Sequence, residues 1–401
     1  MTDEKKNLEE FRAEVYAWMK ENKPADPSFL LPQTFMEVGS EEQLEYLRDW
    51  QRKVYEAGYI GLNWPKQYGG YGLPASYQHI ADQAMSHHRV PIIVNVIGLC
   101  WAGPLILKDG TDEEKERYIN RILTAEDMWC QGFSEPDHGS DLGNAQTTAV
   151  RDGDEYVING TKTWTTFGNY AKYMILLART KQGTQRKYDG LSYFLSPMDV
   201  PGVTATPIKK ITAEYGFTET FFDNARISAS CLMGEEGQGW AIAMQTLMFE
   251  RAAEGGGATR YISTRVMMDD LLETAKNITR DGQPLLKDPV VRDNLVKFMI
   301  EEKAGILSSI RAEIPALVAD YPFAIPISGK LRGTEYSRLM RQYAISLQGA
   351  KGALYVGDED AIEGGFWQRA YFNNFSSTIG GGTSQIQANI VGERVLGLPK
   401  S

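Results

Sequence analysis

The sequence predicts an α+β fold in three successive parts: a helical N-terminal domain at residues 1–127, a middle β-domain at 128–238 and a helical C-terminal domain at 239–401. Two observations support this prediction. In the first and last parts, apolar residues recur three or four positions apart, as they do in amphipathic helices. The middle part contains short runs of β-branched and aromatic residues. These runs follow one another directly, so they predict antiparallel strands rather than alternating βαβ units.

The N-terminal helices are predicted from three stretches that carry charge away from their apolar residues: LEEFRAEVYAWMKEN, EEQLEYLRDWQRKVYEAG and YQHIADQAMSHH. Between the second and third lies GLNWPKQYGGYGLP, at residues 61–74, whose glycine and proline density predicts an ordered loop. Helical spacing returns at Gly239. The last part of the chain is therefore helical too.

The strands begin near Met128. Asp152-Gly153 and Asn159-Gly160 flank the stretch DEYVI, and both pairs are typical of type I′ turns. They predict an antiparallel hairpin in the middle domain.

Residues 90–107, VPIIVNVIGLCWAGPLIL, are apolar enough to raise the question of a membrane span. Pro91, Asn95, Gly98 and Pro104 interrupt the run. The sequence therefore predicts a buried core helix and no membrane span, because helices that are apolar all round in globular proteins are interior ones.

Composition excludes several classes of protein. The net charge is −10 and no long lysine or arginine cluster occurs, which argues against a nucleic-acid partner. Cys100, Cys130 and Cys231 are odd in number and form no CxxC pair, so neither a disulfide framework nor a metal site is expected. The N-terminus, MTDEKKNLEEF, lacks the apolar core of a secretory signal, and we expect a cytoplasmic protein.

Two stretches could bind a cofactor. WCQGFSEPDHGSDL, at residues 129–142, offers the hydroxyls of Ser134 and Ser140, backbone donors near Gly139 and the flat ring of Phe133, as a flavin requires. The alternative is an ordinary inter-domain loop. NGTKTWTT, at 159–166, presents an indole followed by two threonines, although an isolated tryptophan is more often a core residue. A Rossmann site is disfavoured, because GEEGQGW at 234–240 has the wrong glycine spacing.

Five motifs in order resemble the acyl-CoA dehydrogenase family: GFSEPDHGSD, DEYVINGTKTWTT, GEEGQGW, RQYAISLQGAKG and GGGTSQIQANIVGERVLGLP. The resemblance covers nearly the whole chain. It implies a β-barrel for the middle domain, a four-helix bundle for the C-terminal domain, and FAD at a dimer interface, commonly within a homotetramer. It also implies α,β-desaturation of an acyl-CoA: a carboxylate removes the α-proton, the β-hydride passes to N5 of FAD, and electron-transferring flavoprotein reoxidises the flavin.

The resemblance also assigns cofactor contacts. It places FAD against two groups of residues: Phe133, Ser134, Gly139, Ser140, Trp164 and Thr166 in the middle domain, and Arg280, Gln348, Gly349, Gly352, Thr383 and Gln385 in the C-terminal domain, partly across the dimer. Gly282-Gln283 stand where family members carry a phenylalanine after the arginine.

The catalytic base is the least usual feature of the sequence. Many family members carry it directly before the Gly-Thr of the glycine-rich segment, where this chain has Gly381. The Gly381 backbone N–H still offers a donor to the thioester oxygen. Another branch of the family carries the base before an arginine on the first C-terminal helix, where this chain has Glu250. Glu250 is our expected base and Glu254, one turn on, is the second candidate; without the resemblance, Glu250 would be read as a solvated or ion-paired side chain.

The resemblance places the acyl group along Val90, Ile93, Val94 and Ile97, with Ser140 and Arg251 as further substrate contacts. This lining is apolar, which favours an apolar acyl group over a dicarboxylate, but Arg89 borders it and leaves a carboxylated or aromatic acyl chain open. The resemblance adds that a base on the first C-terminal helix accompanies branched, long or bulky ring-bearing acyl groups in several relatives. Gly255–Gly257 would widen the space beside the base.

Two other functions stay open at this point. One is a non-catalytic or partner-dependent subunit of a heteromeric acyl-CoA dehydrogenase, which Gly381 would suit. The other is an oxygen-using flavoenzyme of the same fold.

Overall fold

The computed structural model describes residues 8–255, 266–312, 314–318 and 324–399. Among these residues there are two compact units, one running up to Phe249 and one made of residues 250–255 together with the chain from Val266 onward. The first unit contains the N-terminal helices and the main sheet, and the second contains the C-terminal helices. The predicted α+β class is confirmed, whereas the domain limits at residues 127 and 238 stay predictions.

The N-terminal helices lie where the apolar spacing predicts them. Val15, Leu47 and Ile122 are among the side chains that their apolar faces bury. The start of the fifth helix is fixed by a capping box between Thr111 and Glu114. The helices are α1 (Leu8–Asn22), α2 (Glu41–Glu56), α3 (Ala75–His88), α4 (Gly103–Asp109) and α5 (Asp112–Leu123).

The apolar segment 90–107 begins as irregular chain. Residues 90–95 are not helical; helical backbone starts at residue 96 and passes through a π-helical turn, Gly98–Ala102, into α4. The prediction of one helix over this segment is therefore wrong in its first part. Arg89 ends α3 in a left-handed conformation (φ 49°), and Pro91 disfavours helical backbone at the residue before it.

Burial of this segment is confirmed, since Val90, Ile93, Val94 and Ile97 are all fully covered. No helix in the described ranges has the length and apolar content needed to cross a membrane.

Asn95 ties this segment to its neighbours. Its backbone N–H donates to Gln51 Oε1 of α2 (2.9 Å), and its Nδ2 donates to the carbonyls of Ile122 (3.1 Å) and Asp127 (3.0 Å). Its Oδ1 accepts from the Trp129 N–H (3.2 Å). The Asn95 amide is therefore used by the fold itself.

We predict that Asn95→Leu lowers the free energy of unfolding by about 3 kcal/mol or more, because three hydrogen bonds are lost and their backbone partners stay buried. Urea unfolding of the purified protein measures this change. Asn169→Leu, at an exposed position of the same unit, is the control and should change it by less than about 0.5 kcal/mol. Equal effects of the two substitutions would contradict the bridging role of Asn95.

The middle part forms an eight-stranded sheet with the order β6-β7-β3-β2-β4-β5-β8, and β1 pairs with β4. The strands are β1 (Trp129–Gly132), β2 (Thr148–Asp152), β3 (Glu155–Thr166), β4 (Tyr173–Arg179), β5 (Leu191–Pro197), β6 (Val203–Ile208), β7 (Phe217–Ser228) and β8 (Leu232–Met233). The predicted hairpin is confirmed, because Asp152 pairs antiparallel with Glu155 across the turn.

Two details of the sheet differ from a purely antiparallel barrel. β1 and β4 pair in parallel, and so do β2 and β4 at Thr148 and Arg179. In the described part of the chain, the strand path ends at β6 and β8 without pairing them. Parallel pairs need a long connection, and in both cases β3 lies between the two strands in sequence and supplies it.

The second unit is a helical bundle. α7, α8, α10 and α11 pack around one apolar core that includes Leu271, Leu295, Met340 and Trp367, which agrees with the predicted four-helix bundle. The helices of the C-terminal part are α6 (Gly239–Gly255), which begins in the first unit, α7 (Met268–Asn277), α8 (Pro289–Ala312), α9 (Pro315–Val318), α10 (Ala324–Leu347), α11 (Phe366–Ile379) and α12 (Ser384–Ile390). A short hairpin, β9 (Thr279–Arg280) and β10 (Gln283–Pro284), follows α7.

Candidate active site

The loop after β1 is held against β3. The Ser134 carbonyl accepts a hydrogen bond from the Thr163 N–H (2.9 Å), and the Ser134 side chain is partly exposed. The Phe133 ring is buried and packs edge-on to Tyr193, with ring centres 5.9 Å apart. The predicted cofactor residues Ser134 and Phe133 therefore differ in exposure: Ser134 is partly exposed, while the Phe133 ring belongs to the core.

A buried ion pair that the sequence analysis missed supports this loop. Lys162 of β3 is fully buried, and its Nζ lies 2.8 Å from Glu135 Oε1 and 3.0 Å from the Phe133 carbonyl. The backbone N–H groups of Gln146 and Thr147 donate to the two Glu135 oxygens at 2.6 and 2.8 Å. Burial raises the pKa of Glu135, but the Lys162 ammonium and these hydrogen bonds outweigh it and hold the pKa below its ordinary value.

The end of β3 presents the predicted indole. The register of β3 against β7 shifts between Lys162 and Thr165, and Trp164 within that bulge has a left-handed φ of 59°. Its side chain is 60% exposed and contacts Phe217 edge-on, with ring centres 6.0 Å apart. The reading of Trp164 as a core residue is therefore wrong. An exposed indole on strained backbone is a common feature of functional sites.

This region fits an aromatic, polar-edged cofactor such as a flavin. The hydroxyl Oγ1 of Thr165, the residue after Trp164, makes no hydrogen bond among the described residues. A free hydroxyl beside an exposed indole gives a ring one face to cover and a donor for its edge. Gly139 and Ser140 are exposed on the same loop, and nothing lies within 4 Å of a Cβ built on Gly139.

Glu250 lies on α6 and is 5% exposed. Carboxylates are seldom buried to this degree, and when they are, they are paired or functional. The described part of the chain excludes the side chains of Arg251 and Glu254 and all of residues 256–265. The predictions for Arg251, Glu254 and residues 256–257 therefore lie outside it.

The glycine-rich segment links α11 to α12. The Gly380 N–H donates to the Ser376 carbonyl (2.7 Å), and Gly381 and Gly382 have left-handed φ values of 64° and 93°. Thr383 caps α12, since its Oγ1 accepts from the Ile386 N–H (3.1 Å). The predicted FAD residue Gln385 is exposed in the first turn of α12.

The remaining predicted FAD contacts also lie in the second unit. Gln348 is buried, and its Oε1 accepts from Gln368 Nε2 (2.7 Å), which also donates to the Gly352 carbonyl (3.2 Å). Gln348 Nε2 makes no hydrogen bond among the described residues and is a free donor. Gly349 follows at the start of a 3₁₀ turn.

Arg280 is exposed at the end of β9 and pairs with Gln283. Asp281 and Gly282 between them have left-handed φ values of 52° and 76°, which make a type I′ turn. Gly282, at the position where the resemblance expects a phenylalanine, therefore allows a tight hairpin turn between β9 and β10. Arg280 is exposed at the start of this turn.

Within each unit, the structure brings predicted residues together. The first unit groups Ser134, Trp164 and Thr166, and the second groups Gly381 with Thr383 and, separately, Gln348 with Gly352. Among the described residues, no group of three histidine, cysteine or acidic side chains is arranged to hold a metal ion.

Comparison with known proteins identifies the class to which a chain with this fold and these surfaces belongs. Family models of the acyl-CoA dehydrogenase N-terminal, middle and C-terminal domains match residues 8–126, 130–225 and 237–396. The acyl-CoA dehydrogenase IpdE1 of Mycolicibacterium smegmatis is 36% identical over 98% of both chains.

Two solved structures are similar over the full length of both chains. The Tcur3481-Tcur3483 steroid ACAD is 28% identical with a TM-score of 0.80, and the ChsE4-ChsE5 complex from Mycobacterium tuberculosis is 26% identical with a TM-score of 0.77. The chain belongs to the acyl-CoA dehydrogenase family and is an FAD-dependent oxidoreductase acting on acyl-CoA. The predicted family, enzyme class and cofactor are confirmed.

Proposed function

We propose that this chain introduces an α,β double bond into an acyl-CoA with a bulky, ring-bearing acyl group, and that Glu250 is the base. The observation that carries the proposal is the buried carboxylate of Glu250 on α6, in a chain whose alternative base position is Gly381. A carboxylate screened from water can accept a proton from carbon without competing solvation.

Each group has one task in this proposal. Glu250 takes the α-proton, and the Gly381 backbone N–H donates to the thioester oxygen as negative charge develops there. Bound FAD supplies the acceptor for the β-hydride. Trp164 would cover the ring of the cofactor, while Ser134 and Thr166 would offer hydroxyls to its edge.

The acyl group is inferred from the apolar segment and from one relative. The resemblance places Val90, Ile93 and Val94 beside the acyl group. These side chains are fully covered in this structure and carry no polar atom that could pair with a carboxylated chain, and the amide of Asn95 is occupied by the fold. A solved relative at 28% identity is named a steroid ACAD. Together these favour a large apolar ring system over a short or charged acyl group.

The test is a panel of acyl-CoA thioesters of matched length, with straight, branched and fused-ring acyl groups, offered to the FAD-loaded enzyme with an artificial electron acceptor. We expect kcat/KM for the ring-bearing thioester to exceed that for the straight chain by about 100-fold or more, since each well-placed apolar group contributes about tenfold or more. A preference for straight chains would contradict the proposed acyl group. It would not contradict the proposed α,β-desaturation.

A heteromeric assembly is the second candidate, and the ChsE4-ChsE5 complex favours it, because that relative is a complex of two named chains. We propose a homo-oligomer with its own base, reoxidised by electron-transferring flavoprotein. Mass measurement of the purified FAD-loaded protein, combined with an activity assay, distinguishes the two assemblies. Activity of an oligomer made of this chain alone supports our proposal. Activity only after addition of a second, different chain supports the heteromer.

A further inference from the structure

The glycine-rich segment is fixed by buried side chains. Gln387 of α12 is fully buried, and its Nε2 donates to the Gly381 carbonyl at 2.7 Å. Lys330 of α10 is 1% exposed, and its Nζ donates to the Gly382 carbonyl at 2.8 Å and to the Ser377 carbonyl at 2.9 Å. Two consecutive glycine carbonyls therefore each have a buried donor from a different helix.

These contacts surround the peptide that carries the Gly381 N–H. On its N-terminal side, the Gly380 N–H is bound to the Ser376 carbonyl. On its C-terminal side, Gln387 fixes the Gly381 carbonyl. The Gly381 N–H belongs to the planar peptide unit between Gly380 and Gly381. Because the Gly380 N–H before this unit and the Gly381 carbonyl after it are both held, the unit is restricted in its rotation, and so is the direction of its N–H.

The restriction matters because of the residues involved. Glycine has the widest choice of backbone conformations, and successive glycines would otherwise sample many N–H directions. A donor stabilises developing charge best when its direction is set before the reaction begins. Burying an ammonium group is costly, so a lysine kept at 1% exposure with two carbonyl partners has a specific task.

A further contact holds the start of α12, directly after the glycine-rich segment. The Ser384 hydroxyl, at the start of α12, donates to Glu335 Oε1 at 2.6 Å, and Arg338 Nε donates to Glu335 Oε2 at 3.0 Å. α10 therefore contacts both the glycine-rich segment, through Lys330, and the helix that follows it, through Glu335.

We infer that Lys330 and Gln387 are positioning residues that fix the Gly381 backbone N–H in the direction needed to bind the thioester oxygen. This rests on the proposed function, in which that N–H stabilises negative charge. Lys330 acts through the Gly382 carbonyl and Gln387 through the Gly381 carbonyl, and neither side chain needs to touch the substrate.

The test compares Lys330→Met and Gln387→Met with the wild type, all as FAD-loaded full-length protein. Methionine keeps an unbranched side chain and removes the donor. Lys303→Met, at an exposed position on α8, is the control. Amide hydrogen exchange of the peptide 376–390 is measured by mass spectrometry, together with FAD content, kcat, and thioester Kd.

We expect exchange in this peptide to accelerate at least about tenfold in both variants and kcat to fall about tenfold or more, with Kd within about threefold of wild type and FAD retained. The control should match wild type. If Lys330→Met does not fold, Gln387→Met, which removes one neutral hydrogen bond, decides the question.

Unchanged exchange in the variants would overturn the inference at any level of activity. Faster exchange together with a fall in kcat and an equal loss of thioester affinity would also overturn it. So would faster exchange together with loss of FAD. In both cases the residues would only stabilise the fold. If wild type dehydrogenates no thioester, the proposed function fails, and unchanged or faster exchange still decides whether these side chains hold the segment.

Discussion

Replacing Glu250 with glutamine is expected to lower kcat by a factor on the order of 10³, because a positioned general base contributes about 10²- to 10⁴-fold. Glutamine has the same shape and cannot accept the proton. The thioester Kd should stay within about threefold of wild type, since binding does not depend on proton transfer. Steady-state kinetics with an artificial acceptor and calorimetric titration of the thioester measure the two quantities.

Glu273→Gln is the matched control for this substitution. Glu273 is an exposed carboxylate on α7, and its loss should leave kcat unchanged. If Glu250→Gln loses thioester affinity in proportion to kcat, the carboxylate contributes to binding, and its assignment as the base would be wrong.

Lys162→Met is expected to destabilise the protein by about 3–5 kcal/mol, because it leaves Glu135 buried without its cation. The same change releases the Phe133 carbonyl and thus the loop that carries Ser134. FAD should therefore dissociate more readily. Urea unfolding and the flavin retained after gel filtration measure the two effects.

Lys172→Met is the control, because Lys172 is 43% exposed and its contact with Asp127 is longer, at 3.6 Å. It should cost less than about 1 kcal/mol, because the buried Asp127 carboxylate keeps its shorter ion pair with Arg121 at 2.6 Å and loses only a partly exposed partner. The double variant Lys162→Met with Glu135→Gln should recover part of the loss, since it no longer buries an uncompensated charge. Equal stability of Lys162→Met and wild type would show that the pair does not hold the loop.

The regular parts of this fold could be predicted from local sequence alone. Helical spacing indicated α1, α2 and α3, and the Asp152-Gly153 turn indicated the β2–β3 hairpin. These features depend on residues a few positions apart, which a single sequence displays directly.

The segment 90–95 shows where local reasoning fails. Its apolar residues correctly predicted burial, but its irregular backbone is held by Asn95, whose partners lie in α2, at the end of α5 and in β1. The spacing of apolar residues cannot distinguish a buried helix from a buried irregular segment when tertiary hydrogen bonds decide.

In the candidate site, too, local motifs predicted some residues and missed others. Motifs located Ser134, Trp164 and Gly381, whereas the buried contacts that support them involve partners far apart in sequence. Lys162 and Glu135 are 27 positions apart, and Lys330 and Gly382 are 52 apart. No local signal distinguishes a buried lysine of this kind from an exposed one.

The most direct test of the assigned base is anaerobic stopped-flow mixing of a ring-bearing acyl-CoA with FAD-loaded wild type, Glu250→Gln and Glu254→Gln, following the flavin absorbance. Our account predicts rapid bleaching in wild type and Glu254→Gln, and a bound but oxidised flavin in Glu250→Gln. Bleaching of Glu250→Gln at the wild-type rate, with Glu254→Gln inactive, would contradict it and assign the base to Glu254.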